Sequence, residues 1–279
     1  MTKQNDKLVA ERLFSDERGP RVVGCRGEVH DVLESTMDTA RRCAMAGAPD
    51  GYVVLAEKQR SGRGRTGTWE CTTRLGLLIS VVLRMGISQE ERRITALMGA
   101  VAATQAVQHF GVQARIKWPN DVVIADKTQG LRVRKLGGVL VEQTPQGDAA
   151  PAHVLGIGLN VNQDTRRLPK GVDVPATSVK IERGGQSVER NQLCIRLLAE
   201  LDLWYAKLRS GQVEALLARW RTLSCLLGQR VRAEVEGEFV SGEVLGLRAT
   251  GELILRTDDG GEIFLTSEKA KLVFEERRR

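Results

Sequence analysis

Apolar positions along this chain recur with two different periods. Between 88 and 111, Ile94, Leu97, Met98 and Val101 fall at i, i+3, i+4 and i+7, the spacing of one helix face. Ser88-x-x-Glu91 forms a capping box ahead of them, and Gly111 sits where a C-terminal cap glycine belongs. A second helical pattern runs through Leu193, Leu197, Leu198, Leu201, Trp204 and Leu208 and stops near Gly211. A shorter, capped helix is expected after Ser35 and Thr36, with Met37, Ala40 and Ala44 on one face and Gly47 and Pro49 closing it. Around these helices lie apolar runs of strand length at 52–57 (YVVLAE), 75–83 (LGLLISVVL), 112–116, 122–124, 136–141 and 154–157. The continuous apolar character of the two longest predicts strands with both faces buried.

From Gly228 the texture changes to short alternating segments separated by Gly and Asp-Gly turns, the pattern of a small β-barrel. Residues 1–20 are polar and carry no sustained period, so a flexible arm is expected there, with order beginning near Arg21. The fold class is therefore α+β: a mixed, sheet-rich domain with packed helices at 21–226, then a compact β module at 227–279.

Composition narrows the setting. A chain of 279 residues, 42% apolar and 28% charged, is long enough for one large core and a small appendage. Its five cysteines, Cys25, Cys43, Cys71, Cys194 and Cys225, are scattered and never form CxxC, which argues against a disulfide framework or a zinc site and for a reducing compartment. The start of the chain has no apolar leader-like core, and the apolar run at 75–83 stops at Arg84, far short of a membrane span, so a cytoplasmic protein with no membrane partner is expected. The net charge of +7 would favour anionic partners, but Lys and Arg are dispersed and only 277–279 forms a basic run. Such dispersal predicts weak, salt-sensitive DNA contact without sequence specificity.

The densest chemistry lies in Gly62-Arg63-Gly64-Arg65-Thr66-Gly67. The spelling matches GxGxxG, yet a dinucleotide site needs a helix directly after the glycines, and here the LGLLISVVL strand follows instead. Two readings remain from the residues alone: a flexible loop whose glycines and guanidinium forks take up an anion, or a solvated basic turn. The motifs that follow in order are KWPND (117–121), KLGGVLVE (135–142) and GIGLNV (156–161). Together with Glu34-Ser35-Thr36 and the GRGR loop, they closely resemble the biotin–protein ligases from about Ser35 to Asn162, and the C-terminal module continues the resemblance.

The resemblance implies a class II synthetase-like catalytic domain of the biotin/lipoate ligase type with a C-terminal SH3-like barrel. It further implies biotin, ATP and Mg²⁺ as ligands, a biotin carboxyl carrier domain of a carboxylase as acceptor, and a monomer or homodimer. Biotin and the adenylate would be surrounded by Ser35, Thr36, Gln59, Gly62, Arg63, Gly64, Arg65 and Lys135. Lys135 would be the cation nearest the reacting carboxylate and α-phosphate, with Arg63 and Arg65 closing on phosphate. Met37 stands where the family has an asparagine and carries no amide; Trp69 stands one residue closer to the glycines than the family's tryptophan. Asp121 either orients a loop, helps to hold metal or nucleotide, or caps a turn. Gly138, Gly156, Gly158 and Asn160 complete the ligand-facing set; Gly156 and Gly158 are expected either to let backbone approach the ligand or to mark a bulge. His109 and His153 lack a partner pattern and read as structural.

The resemblance leaves two rivals: a lipoate or octanoate protein ligase, and a biotin-responsive DNA-binding repressor. KWPND with GRGRTG and the β module disfavours the first, and the 34 residues before Ser35, without two helical patterns and a turn, disfavour the second. Three glycines within 62–67, and no carboxylate beside Arg63 and Arg65 before Glu70, predict that 60–73 is mobile until an adenylate orders it. The tract 125–134, polar and basic, is expected as an extended hairpin tip at the rim.

Overall fold

The computed structural model describes residues 6–15, 19, 21–65, 67–85, 88–128, 130–144, 151–169 and 174–273; the N-terminal 1–5 and the basic run 277–279 lie outside the described residues. The larger sheet contains β1 (Gly27–His30), β2 (Val53–Ala56), β3 (Gly76–Leu83), β4 (Ala114–Lys117), β5 (Asp121–Asp126), β6 (Arg132–Gln143) and β7 (His153–Asn160). Its spatial order is β1-β2-β3-β7-β6-β5-β4. Only β1 and β2 run parallel; the other neighbours are antiparallel, so the sheet is mixed, as expected.

Alternation along the central strands divides the molecule into two sides. Leu77, Ile79, Val81 and Leu83 of β3, with Leu155, Ile157 and Leu159 of β7, enter the main core. There they meet α3 (Gln89–Gln108), α5 (Arg190–Arg209) and α6 (Val213–Leu223). The intervening Val82 and Val154 belong to a smaller cluster on the opposite face, under α2 (Thr36–Met45). The capping box of α3 is formed in both directions, Glu91 N–H to Ser88 Oγ at 3.1 Å and Ser88 N–H to Glu91 Oε2 at 2.9 Å.

The N-terminal segment corrects the flexible-arm reading. Its residues 10–13 form α1 (Ala10–Leu13), and Leu8 and Leu13 are 2% and 0% exposed. The fully buried Arg190 on α5 reaches Glu57 at 2.7 Å and Asp6 at 3.1 Å, while Glu57 also accepts the Leu8 amide at 2.7 Å. A buried guanidinium needs such partners, and two of them lie far away in sequence, so a search for local periodicity does not find the anchor.

After α4 (Val179–Glu182), α5 and α6 comes the C-terminal module, with β8 (Arg230–Val235), β9 (Glu238–Leu247), β10 (Leu253–Thr257), β11 (Glu262–Leu265) and β12 (Ala270–Val273). They form an antiparallel sheet in the order β11-β10-β9-β8-β12. The expected barrel is not closed: β11 and β12 are its two edges. Between them a tight turn gives the Thr266 carbonyl the amides of Lys269 and Ala270, and the two four-residue strands exchange no ladder bonds. The module's apolar residues, among them Val231, Val244, Leu253 and Leu272, instead join the main core. Among the described residues no helix is long and apolar enough to cross a membrane.

Candidate active site

A cavity of about 1270 Å³ opens on the α2 side of the large sheet. Ser35, Thr36, Met37, Gln59, Arg63, Gly64, Arg65, Trp69, Asp121, Lys135, Gly138, Gly156, Gly158 and Asn160 all line it. Gly62 lies just behind the wall: a Cβ there would stand 2.3 Å from the Trp69 carbonyl oxygen and 2.8 Å from the Gln59 amide nitrogen, so only glycine fits. The period of two along β7 puts Gly156, Gly158 and Asn160 on this face and their apolar neighbours in the core.

The mouth of α2 is polar for a reason other than capping. Ser35 makes no side-chain cap bond, which corrects the capped-helix reading. Thr36 instead donates its amide and hydroxyl to Gln59 Oε1 at 2.7 and 2.9 Å, and accepts from Ser80 Oγ at 2.8 Å. With its carbonyl so occupied, Gln59 has only its amide N–H groups left to offer the cavity it lines.

The two glycines of β7 also correct an expectation. A Cβ on Gly156 would lie 2.8 Å from Met37 Sδ, and one on Gly158 would lie 2.5 Å from the Trp69 indole. Both therefore make room for protein side chains, which then form the apolar wall of the cavity. The indole N–H of Trp69 is buried with no partner among the described residues, and Lys135 Nζ stands 5.9 Å from its ring centroid.

The glycine-arginine loop is a small hairpin. Gly64 N–H donates to Gly67 C=O at 2.7 Å and Trp69 N–H to Gly62 C=O at 2.8 Å. Arg63 meets carboxylates that its local sequence lacks: Asp38 on α2, at 2.8 Å from each of two nitrogens, and Glu142 at the end of β6, at 3.3 Å. Hydrogen bonding to Arg63 holds the Asp38 carboxyl below its ordinary range, and the same bonds raise the guanidinium further. Arg65 points the other way and donates to the Ser267 carbonyl of the C-terminal module at 2.7 Å. The segment 60–73, expected to be loose without ligand, is thus tied at several points, Thr66 alone lying outside the described residues.

Opposite this loop stands a cation cluster. Lys135 is 2.6 Å from Asp121, and Lys117 is 3.7 Å from the other oxygen of the same carboxylate. Burial, reinforced by Lys135, lowers the Lys117 pKa against the pull of Asp121. Burial likewise lowers that of Arg65, against Asp121 and Glu268. A bulge between β5 and β6 sets this geometry: Val122 pairs with Gly137 but Val123 pairs with Lys135, so Leu136 turns into the core and Lys135 shares a face with Gly138. A Cβ on Gly138 would be 3.4 Å from Lys135 Cε.

Sequence reasoning passed over Lys117 and Asn120, although both stand in KWPND and line the cavity. Asn120 is buried and bonded to Val139 through side chain and backbone. Lys271, Leu272 and Val273 also line the cavity, brought there from β12. The Trp of KWPND is a strut, its indole donating to the Gly251 carbonyl at 3.3 Å. His153, bonded to Thr95 at 3.1 Å, has its pKa lowered by burial and lies outside the cavity. No cluster of three His, Cys, Asp or Glu exists among the described residues; Asp121, paired with Lys135, is the carboxylate at the cation cluster.

The Biotin/lipoate A/B protein ligase family profile matches residues 29–162, and the Biotin protein ligase C terminal domain profile matches 226–269. A biotin–[acetyl-CoA-carboxylase] ligase of Mycobacterium tuberculosis is 33% identical over 82% of this chain and 82% of its own. The chain belongs to the biotin protein ligase family. The bifunctional ligase/repressor BirA of Bacillus subtilis is 31% identical over 83% of this chain and 69% of its own. In fold, the biotin protein ligase of Aquifex aeolicus solved with biotin and ATP superposes with a TM-score of 0.73 at 22% identity, covering 90% of this chain and 99% of that one. The residues of the family's motifs line one cavity.

Proposed function

We propose that this protein condenses biotin with ATP to biotinyl-5′-AMP and pyrophosphate, then passes biotin to a lysine of a biotin carboxyl carrier domain of a carboxylase, in the cytoplasm. The observation that carries the reading is the pairing of an apolar wall, Met37, Leu140 and Trp69, with Lys135, Lys117 and Arg65 around a single carboxylate, Asp121. In the first step the biotin carboxylate oxygen attacks the α-phosphorus and the bond to pyrophosphate breaks. Two anions are forced together while charge grows on the leaving group, and a fixed excess of cations in a recessed site stabilises that charge. Lys135, the cation beside both Trp69 and Asp121, is assigned to the carboxylate and α-phosphate. In the second step a deprotonated lysine amine attacks the acyl carbonyl, AMP leaves, and no covalent enzyme intermediate is required. Magnesium would arrive as the counter-ion of the nucleotide's phosphates, with Asp121 the carboxylate at hand. The KWPND and GRGR residues around one cavity support biotin over lipoate. Incubation with ATP, Mg²⁺ and labelled biotin should give labelled adenylate and a labelled carrier domain; label from lipoate but not from biotin would replace this reading with that of a lipoate ligase.

A further inference from the structure

We propose that Asp38 and Glu142 are positioning residues that clamp the glycine-arginine loop over the cavity through Arg63, and that Arg63 stays in this clamp while Arg65 meets phosphate. The inference deepens the proposed function and rests on it for the identity of the adenylate, although the clamp itself can be tested without ligand.

Arg63 makes four hydrogen bonds to two carboxylates. Both terminal nitrogens of Arg63 face Asp38 at 2.8 Å in a bidentate fork, and Nε with one terminal nitrogen faces Glu142 at 3.3 Å. The planar fork thus spends its donors on two carboxylates. Arg41, one turn along α2 from Asp38, closes the group by pairing with Glu142 and, at 3.5 Å, with Asp38. The two carboxylates offset much of the charge on Arg63 and Arg41, so a phosphate approaching Arg63 must compete with anions already bonded to it. Arg65 differs: its bonded partner is a backbone carbonyl, and it lies near the lysine pair at Asp121.

The clamp also has a mechanical sense. Asp38 sits directly after Ser35, Thr36 and Met37, and Glu142 lies two residues beyond Leu140 on the same strand, so both anchors are rigidly joined to the cavity wall. Holding Arg63 there holds Gly64 and Arg65 across the opening, with Trp69 against Gly158 as the second stay. A reactive mixed anhydride needs such closure against water and early escape.

The sign of one experiment separates a clamp from a competitor. If the carboxylates merely occupied Arg63 until ligand displaced them, removing them would tighten ligand binding. If they clamp, removing them loosens it. Asp38→Asn, Glu142→Gln and the double variant are made in the full chain. Trypsin cleavage after Arg63 without ligand should rise about tenfold in the double variant, equivalent to about 1.4 kcal/mol. Escape of preformed labelled biotinyl-adenylate should rise by a similar factor, with the turnover rate of adenylation changed less. Asp38→Glu should restore protection, and Arg63→Lys, which keeps the charge but lacks the fork, should behave as the double variant does and serves if that variant fails to fold. Unchanged cleavage after Arg63, or slower adenylate escape, overturns the clamp. A wild-type protein that forms no adenylate overturns the proposed function instead, and the cleavage comparison still decides the clamp.

Discussion

Arg63 and Arg65 stand two residues apart on one hairpin, yet the walls they meet are opposites. Arg63 faces an acidic wall, Asp38 and Glu142, and is neutralised there. Arg65 faces the side where Lys117 and Lys135 crowd one aspartate and where the C-terminal module supplies a carbonyl. Identical side chains in an almost repeated GRGR thus have different electrostatic tasks, set by what the fold brings against them. The cationic wall suits an anion in transit; the acidic wall suits a permanent tie.

The largest expected effect is on the cationic wall. Lys135→Ala removes the cation assigned to the reacting groups, and a charge-assisted hydrogen bond is worth about 1.5–3 kcal/mol, so pyrophosphate release should fall about ten- to a hundredfold. Because Lys135 is a third exposed, the melting temperature should change little. A folded variant that releases pyrophosphate at the original rate removes Lys135 from the chemistry.

Next comes the direct contrast between the two arginines. Arg65→Ala should lower kcat/KM for ATP about tenfold, and Arg63→Ala should act mainly on adenylate retention, on the same scale of about 1.4 kcal/mol per factor of ten. Equal loss of both quantities in both variants would erase the distinction between the walls.

Lys117 gives a smaller, pH-dependent effect. Burial lowers its pKa, so its charge is present at low pH and is lost as pH rises through a value below the free-lysine figure of about 10.4. Adenylation should therefore show an alkaline decline in that region, and Lys117→Arg should carry the decline to higher pH. A profile identical in the two proteins would show that Lys117 does not touch the first step.

The smallest effect expected is none at all. Asp38 is held below the ordinary carboxylate range by its bond to Arg63, so the stabilisation is fully present above the unfolded value of about 3.9 and lost only as pH falls through the lower folded one. Amide exchange of Gly64 and Trp69, corrected for its intrinsic rate, should report the same protection from about pH 5 to about pH 8. Loss of protection inside that window would mean that something other than this ion pair holds the loop.

Much of this architecture is legible in the sequence because its causes are local. The periods of α3, α5 and the β strands follow from which side chains must leave water, and the capping box of α3 from donors that its first turn leaves open. The alternation that turns Gly156, Gly158 and Asn160 to one face is equally local. Even α6, with Leu216, Leu217, Trp220 and Leu223 at helical spacing, carries a readable signal, though it lies against the change of texture at the module boundary. The motifs KWPND, GRGRTG and KLGG were legible as short runs of chemistry-bearing residues, and all three contribute to the cavity lining.

Only the tertiary structure decided the rest, and each case turns on a partner distant in sequence. The bulge at Leu136 depends on β5 and rotates Lys135 onto the cavity face. Docking of 6–15 depends on Arg190, 184 residues from Asp6. The task of Arg63 depends on Asp38 and Glu142, 25 and 79 residues away. Hydrophobic periodicity is a property of neighbours along the chain, so the sequence by itself determined the elements and the residue types at the site. Electrostatic surroundings depend on distances of a few ångströms between groups that only folding brings together, so which arginine meets two carboxylates and which one meets a backbone carbonyl was left to the fold.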